Sequence, residues 1–165
     1  MTLTGGCQCG AVRYEVVAEP VAIYVCHCRE CQRQSASAFG ISVIVPAWAF
    51  TLTQGDVGTW RRPTDSGGVL DCMFCVVCGS RIRHTAPGEE TVSIKGGSLD
   101  QPVDLRLASH IWTSRKLPGV IVPDGAARFP EEPGRTDRSE GSAGRSGRVA
   151  TATRQAPRAV QRAVT

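Results

Sequence analysis

Hydrophobic and polar positions alternate in short stretches along most of this chain. Between Ala11 and Val17, the side chains of Val12, Tyr14 and Val16 fall on one face and those of Arg13 and Glu15 on the other. This is the two-residue period of a half-buried strand. Val21–Val25 and Ile41–Val45 are apolar, β-branched runs, the second closed by Pro46. The same pattern predicts strands over Val69–Phe74, Ser80–His84 (with Ile82 between Arg81 and Arg83), Thr91–Lys95 and Leu105–Trp112. One short helix is predicted over Arg29–Ala38. Glycine pairs at 5–6, 67–68 and 96–97, with Pro63, Pro87 and Pro102, read as turns between these runs. Strands this short and this closely punctuated predict a small, mainly β domain of antiparallel strands, not alternating β and α units.

Composition changes after Pro133. Residues 134–165 contain no Leu, Ile, Met, Cys, Lys or aromatic residue, and three Val. Such a segment cannot bury enough apolar surface to offset the ordering of its backbone, so a disordered tail is expected. A helix over Arg158–Val164 would be marginal alone. The chain therefore divides into a domain over 1–133 and a tail over 134–165.

The formal charge of +4 divides in the same place. The tail carries seven Arg against two acids, a net of +5, while residues 1–133 carry twelve basic against thirteen acidic side chains, a net of −1. The sequence pI near 8.7 thus describes the tail and implies no basic face on the domain. No window approaches the ~18 apolar residues of a membrane span. Met1–Cys7 has neither the basic cluster nor the apolar core of a secretory signal. The expectation is a cytoplasmic protein with reduced thiols.

That expectation decides how the eight cysteines read, because close-spaced cysteines in a reducing compartment point to metal. Cys75-x-x-Cys78-Gly79 has the form of a zinc knuckle, with two sulfurs turned inward and a glycine where amide N–H groups approach them. Cys7-x-Cys9 is a second tight pair. Together the four supply the thiolates of a closed tetrahedral Zn²⁺, with Zn–S bonds of ~2.3 Å, against the alternative of unpaired buried cysteines. Cys26, Cys28 and Cys31 place three thiols within six residues. Three ligands leave a fourth position for water, thiol or carbonyl oxygen, the arrangement of catalytic zinc. Two alternatives stand beside it: a closed structural site completed by Cys72, His27 or His84, and no metal at all. His27 lies between two ligands and reads as a supporting or surface residue. Cys72 reads as a buried apolar residue, a fourth ligand or a reactive thiol.

Three stretches together resemble a known family. These are Gly6-Cys7-Gln8-Cys9-Gly10-Ala11-Val12-Arg13-Tyr14, Cys26-His27-Cys28-Arg29-Glu30-Cys31-Gln32 and Phe74-Cys75-Val76-Val77-Cys78-Gly79. Ile94–Asp100 and His110–Thr113, running on to Pro133, follow in the same order. The match is to the glutathione-dependent formaldehyde-activating (GFA) family, which includes centromere protein V, over about residues 3–133. The resemblance implies a zinc-stabilised β-tent with two zinc ions per chain. Cys7, Cys9, Cys75 and Cys78 would hold a structural zinc, and Cys26, Cys28 and Cys31 a second, open one. It also implies carbon–sulfur lyase chemistry that joins glutathione to formaldehyde. Arg29 departs from the small polar residue frequent in relatives, Ala36 from a frequent Gly and Gly119 from a frequent Trp.

The expected function is thus a zinc-dependent enzyme that adds a thiol such as glutathione to a small carbonyl compound, or releases it. Three thiolates leave the zinc site at net −1, a weak Lewis acid, which favours orienting the thiol over polarising the carbonyl. Arg29, Arg33, Arg62 and Arg81 are candidate partners for substrate carboxylates, although surface charge is the commoner role of such residues. Trp48, Trp60, Trp112, Phe39 and Phe74 could line a pocket, although core packing is commoner. His84 and His110 are candidate acids or bases, although packed histidines are commoner than catalytic ones. The rival reading is a non-catalytic, zinc-stabilised binding module whose basic tail contacts an acidic partner. The tail has no aromatics for base stacking, which disfavours nucleic acid.

Overall fold

The computed structural model describes residues 2–65 and 67–134, so the expectations for the tail lie outside the described residues from 135 onward. The chain is mainly β. Its elements are β1 (Leu3–Gly6), β2 (Arg13–Val16), β3 (Ala22–Cys26), α1 (Arg29–Ser35), β4 (Gly40–Pro46), β5 (Phe50–Gln54), β6 (Val57–Pro63), β7 (Val69–Cys75), β8 (Arg81–Thr85), β9 (Thr91–Lys95) and β10 (Ser109–Ile111). Strands β1-β2-β5 form one sheet, and β10-β3-β4-β9-β8-β7-β6 form the other.

The alternation read from the sequence decides which face each strand buries. Val12, Tyr14 and Val16 are fully buried, with Val43 and Val45 of β4 and Val92 and Ile94 of β9 in the same cluster. This core fills the space between the two sheets. The other face of β4 and β9 presents Ser42, Ile44 and Ser93 to a pocket. Within the large sheet the register sets Tyr24 opposite Ser42 and His84 opposite Ser93, so side chains of several strands gather on that one face.

Three features differ from the sequence reading. Strand β10 joins β3 in parallel, not antiparallel, with Ile111 opposite Cys26. A parallel partner needs a long crossover, and no local pattern announces one. Gly5 and Gly6 lie within β1 instead of in a turn, because a Cβ on Gly5 would collide with the Tyr14 ring and the Ser98 carbonyl. Strands β1, β5 and β6 carry no apolar run. β6 is an edge strand with Thr59, Trp60 and Arg61 exposed, so water rather than core selects its residues.

The helix also stops early. Cys28 caps its N-terminus by accepting from the Cys31 N–H at 3.4 Å, and Glu30 pairs with Arg33 at 2.9 Å. Ala36 ends it in the left-handed region at φ 48°, donating its N–H to the Arg33 carbonyl. A Cβ there costs about 1–2 kcal/mol. Ala36→Gly is therefore expected to stabilise the fold by about 1 kcal/mol, after the entropy cost of glycine, as read by urea unfolding. Gly5→Ala should destabilise it by about 2–3 kcal/mol through overpacking against Tyr14.

Candidate functional site

The four-sulfur cluster joins the two sheets. Cys7 and Cys9 sit in the turn between β1 and β2, closed by the Gly10 N–H on the Cys7 carbonyl at 3.1 Å, and the Val12 N–H donates to Cys7 Sγ at 3.2 Å. Cys75 ends β7, and Cys78 lies in the next turn, where the Val77 N–H donates to Cys75 Sγ at 3.4 Å. Gly79 has φ 74°, which lets its N–H reach back to the Cys75 carbonyl at 2.9 Å. All four sulfurs lie within 4.8 Å of one another, Cys7 to Cys9 at 3.4 Å and Cys9 to Cys75 at 3.9 Å. A tetrahedron with ~2.3 Å bonds to zinc has edges of about 3.8 Å, so this donor set fits that ion. Ser80 Oγ, 3.2 Å from Cys78 Sγ, and the Ser80 and Cys9 N–H groups pull the Cys78 thiol down to about 5.

The three-sulfur cluster is local. Cys26 ends β3, Cys28 caps α1 and Cys31 lies one turn into the helix, again with all sulfurs within 4.8 Å. The Cys26 and Cys31 thiols, then the Cys31 and Glu30 N–H groups, pull Cys28 down to about 2. The Cys28 and Cys31 thiols, with burial, push Cys26 far up. Three soft donors with one sulfur already favoured as thiolate also fit zinc.

Among the described residues no fourth ligand joins this group. Cys72 is buried across from His84 in the register of β7 and β8. His27 is fully buried, 3.0 Å from His110 Nδ1 through its Nε2, and edge-on to Phe39, so its surface role falls away. Burial lowers the pKa of both histidines. His84 lines the pocket, and burial, with Lys95, Arg62 and Arg81 nearby, holds it well below the usual imidazole range.

The three sulfurs open onto a pocket of about 390 Å³ on the outer face of the large sheet, floored by Tyr24, Ser42 and Ser93. Of the arginines considered from sequence, Arg62 lines it. Arg29 and Arg33 instead pair within α1, with Gln32 at 3.0 Å and Glu30 at 2.9 Å, and Arg81 lines a different cavity. Of the aromatics, Trp112 lines the pocket, and Phe39 lines that same different cavity. Trp48 and Trp60 are 74% and 50% exposed, so neither packs in the core as expected.

Trp112 holds its place at a cost. Its φ of 57° is uncommon for a bulky residue, and the backbone is clamped by the Glu131 carbonyl at 3.1 Å and, next door, by Thr113 on Phe129 at 3.0 Å. Arg115 stacks its guanidinium 4.5 Å over the Trp112 ring and pairs with Asp65 across the pocket. Arg115 was not singled out by the sequence, since nothing local separates it from other surface arginines. Gln32 is the second such residue. Buried in α1, its amide donates to the His27 carbonyl at 2.7 Å and the Arg115 carbonyl at 3.0 Å, tying the three-cysteine loop to the Trp112 turn.

The family model described as glutathione-dependent formaldehyde-activating enzyme matches residues 2–115. The chain belongs to this family. The match takes in both cysteine clusters and ends at Arg115, ahead of the 116–133 stretch. A crystal structure of a Rhodobacter sphaeroides protein is 21% identical, covering 62% of this chain and 92% of that one, with a TM-score of 0.48. Gly119 takes φ 85° and leaves its loop without a side chain at that point. Among the described residues no helix is long and apolar enough to cross a membrane. The binding-module alternative rested on the tail, outside those residues.

Gln32→Leu removes both amide bonds and strands two buried carbonyls. It is expected to cost about 2 kcal/mol in urea unfolding and to loosen the pocket turn, read as raised hydrogen exchange at Thr113–Arg115.

Proposed function

We propose that this protein is a zinc-dependent carbon–sulfur lyase that adds a thiol of the glutathione type to formaldehyde or a similarly small carbonyl compound, and releases it in reverse. The observation that carries the reading is the cluster of Cys26, Cys28 and Cys31, open on one side to the 390 Å³ pocket with no fourth side-chain ligand among the described residues. Family membership supports the thiol and carbonyl substrates. Zinc held by these three cysteines would supply a site that keeps an incoming thiol as its reactive thiolate. The second zinc, on Cys7, Cys9, Cys75 and Cys78, would be structural.

The reaction forms one S–C bond and opens the carbonyl π bond, and the thiol proton ends on the former carbonyl oxygen. The chain's own residues provide the setting. Trp112 and Ile111 wall the site beside Cys26 and Cys28, limiting water around a reactive aldehyde. Arg62 and Arg115 put two guanidinium groups on the rim for the carboxylates of a tripeptide thiol. Arg115 is oriented by its stack on Trp112; its Nη1 is taken by Asp65, so a substrate carboxylate would use its other nitrogens. His84 stays neutral in its buried setting, so it serves as a hydrogen-bond partner and not as a cation.

Metal counting separates the two clusters. The wild type should hold two zinc ions, Cys28→Ser one zinc in a folded chain, and Cys75→Ser should unfold, as read by metal analysis with circular dichroism. Exchange NMR of glutathione with formaldehyde tests the activity. The zinc-loaded wild type should accelerate adduct exchange and Cys28→Ser should lose the acceleration. Arg115→Met should raise KM for glutathione at least tenfold while leaving 2-mercaptoethanol, which has no carboxylate, nearly unchanged. Absence of acceleration by the two-zinc protein overturns the reading.

A further inference from the structure

A second cavity, of about 620 Å³, shares no lining residue with the pocket above the three sulfurs. It lies where α1, the start of β4 and the end of β9 approach the β1–β2 turn. Its walls carry three basic side chains, Arg13, Arg81 and Lys95, and one acid, Asp100.

Arg13 and Asp100 neutralise each other. The guanidinium donates to both carboxylate oxygens, one at 3.1 Å, and Thr4 Oγ1 donates to the same carboxylate at 2.6 Å. Arg81 and Lys95 have no carboxylate partner, although the Arg81 guanidinium lies 5.7 Å from the centroid of the Trp60 ring. Lys95 Nζ and Arg81 Nε and Nη2 are all buried, and none has a hydrogen-bond partner. Removing cationic donors from water without a partner costs several kcal/mol, so two such groups on one cavity wall mark a missing acceptor. The rest of the lining suits an acceptor of several lone pairs, with Gln34 and Ser37 able to donate.

We propose that this cavity binds a small anion, a phosphate-type or carboxylate group, through Lys95 and Arg81. The guanidinium offers a flat, paired set of donors and the ammonium a compact charge, the usual combination for an oxyanion. Burial, with Arg81 next to it, holds the Lys95 pKa below its ordinary value, and the nearby Cys31, Cys72 and Cys26 thiols draw it back up. An anion in the cavity would relieve the same strain. The cavity is also coupled to the three-sulfur cluster: Gln34 of its lining donates to Cys31 Sγ at 3.5 Å, and Gly40 leaves only 3.1 Å between a would-be Cβ and Cys31 Cβ. The anion would therefore sit behind the metal loop while substrate enters from the front.

The test is titration of the zinc-loaded full chain with inorganic phosphate at constant ionic strength, by calorimetry and by melting temperature. Wild type should bind one phosphate per chain and melt higher with it. Lys95→Met and Arg81→Gln should each weaken phosphate at least tenfold with unchanged zinc content. Lys95→Met should also melt no lower than wild type when phosphate is absent, since it removes an unpaired buried charge. S-methylglutathione, which carries carboxylates but no free thiol, distinguishes the source: competition with phosphate assigns the site to a substrate carboxylate, and independent binding assigns it to a free anion. Equal phosphate affinity in the variants overturns the proposal. So does a loss of zinc from Lys95→Met with phosphate binding intact, which would make Lys95 a counter-charge for the thiolates alone.

Discussion

A strand in a sheet has two faces, and here the strands of the large sheet must satisfy opposite demands on them. On β4, Val43 and Val45 are closed into the core against the small sheet, while the alternate residues Ser42 and Ile44 face the pocket. β9 repeats the pattern, with Val92 and Ile94 inward and Ser93 outward. A one-residue slip in either strand would expose valines to water and bury serines in the core. The core thus fixes the register, and the register in turn sets the pocket floor. The three-sulfur cluster inherits its position from the same constraint, because Cys26 is simply the end of β3, paired with Gly40 of β4.

The four-sulfur cluster acts at a different scale. It joins a turn of the small sheet to a turn of the large one, at the end of the core where Cys7 and Cys75 are both buried. The core packs the sheets face to face, and the sulfurs fix their edges. The two clusters therefore divide the cysteines by mechanical role. One set spans the architecture, and the other stays within a loop and the first turn of a helix, where it faces an open volume.

Much of this was legible in the sequence because it is local. The β2 alternation, the Thr91–Lys95 strand and the cysteine pairs all declare themselves within a few residues, and each was found where expected. What was not legible depends on partners far along the chain. Arg115 matters because Asp65 and Trp112 meet it, and Lys95 because burial deprives it of water and of a partner. The parallel arrival of β10 beside β3 has no sequence mark at all. Trp48 and Trp60 mislead for a related reason: hydrophobic size argues for burial, but Trp48 sits in an exposed turn and Trp60 on an edge strand, where a guanidinium and not the core meets its ring.

The spacing of the cysteines also imposes an order in time. A chain leaving the ribosome has all three sulfurs of the short cluster once Cys31 has emerged, whereas the long cluster waits for Cys78. Strand β10, which pairs with β3 beside the short cluster, and its clamp at Ala127–Glu131 come later still. For much of synthesis, then, Cys7 and Cys9 stand beside a complete three-thiol set without their own distant partners. The segment between Cys9 and Cys26 contains β2, whose buried face needs the small sheet, and the pairing of β1 with β2 sets those first two cysteines in their own turn. A hairpin that looks like a minor edge of the fold thereby decides which sulfurs Cys7 and Cys9 meet, those of Cys75 and Cys78 and not the three beside α1.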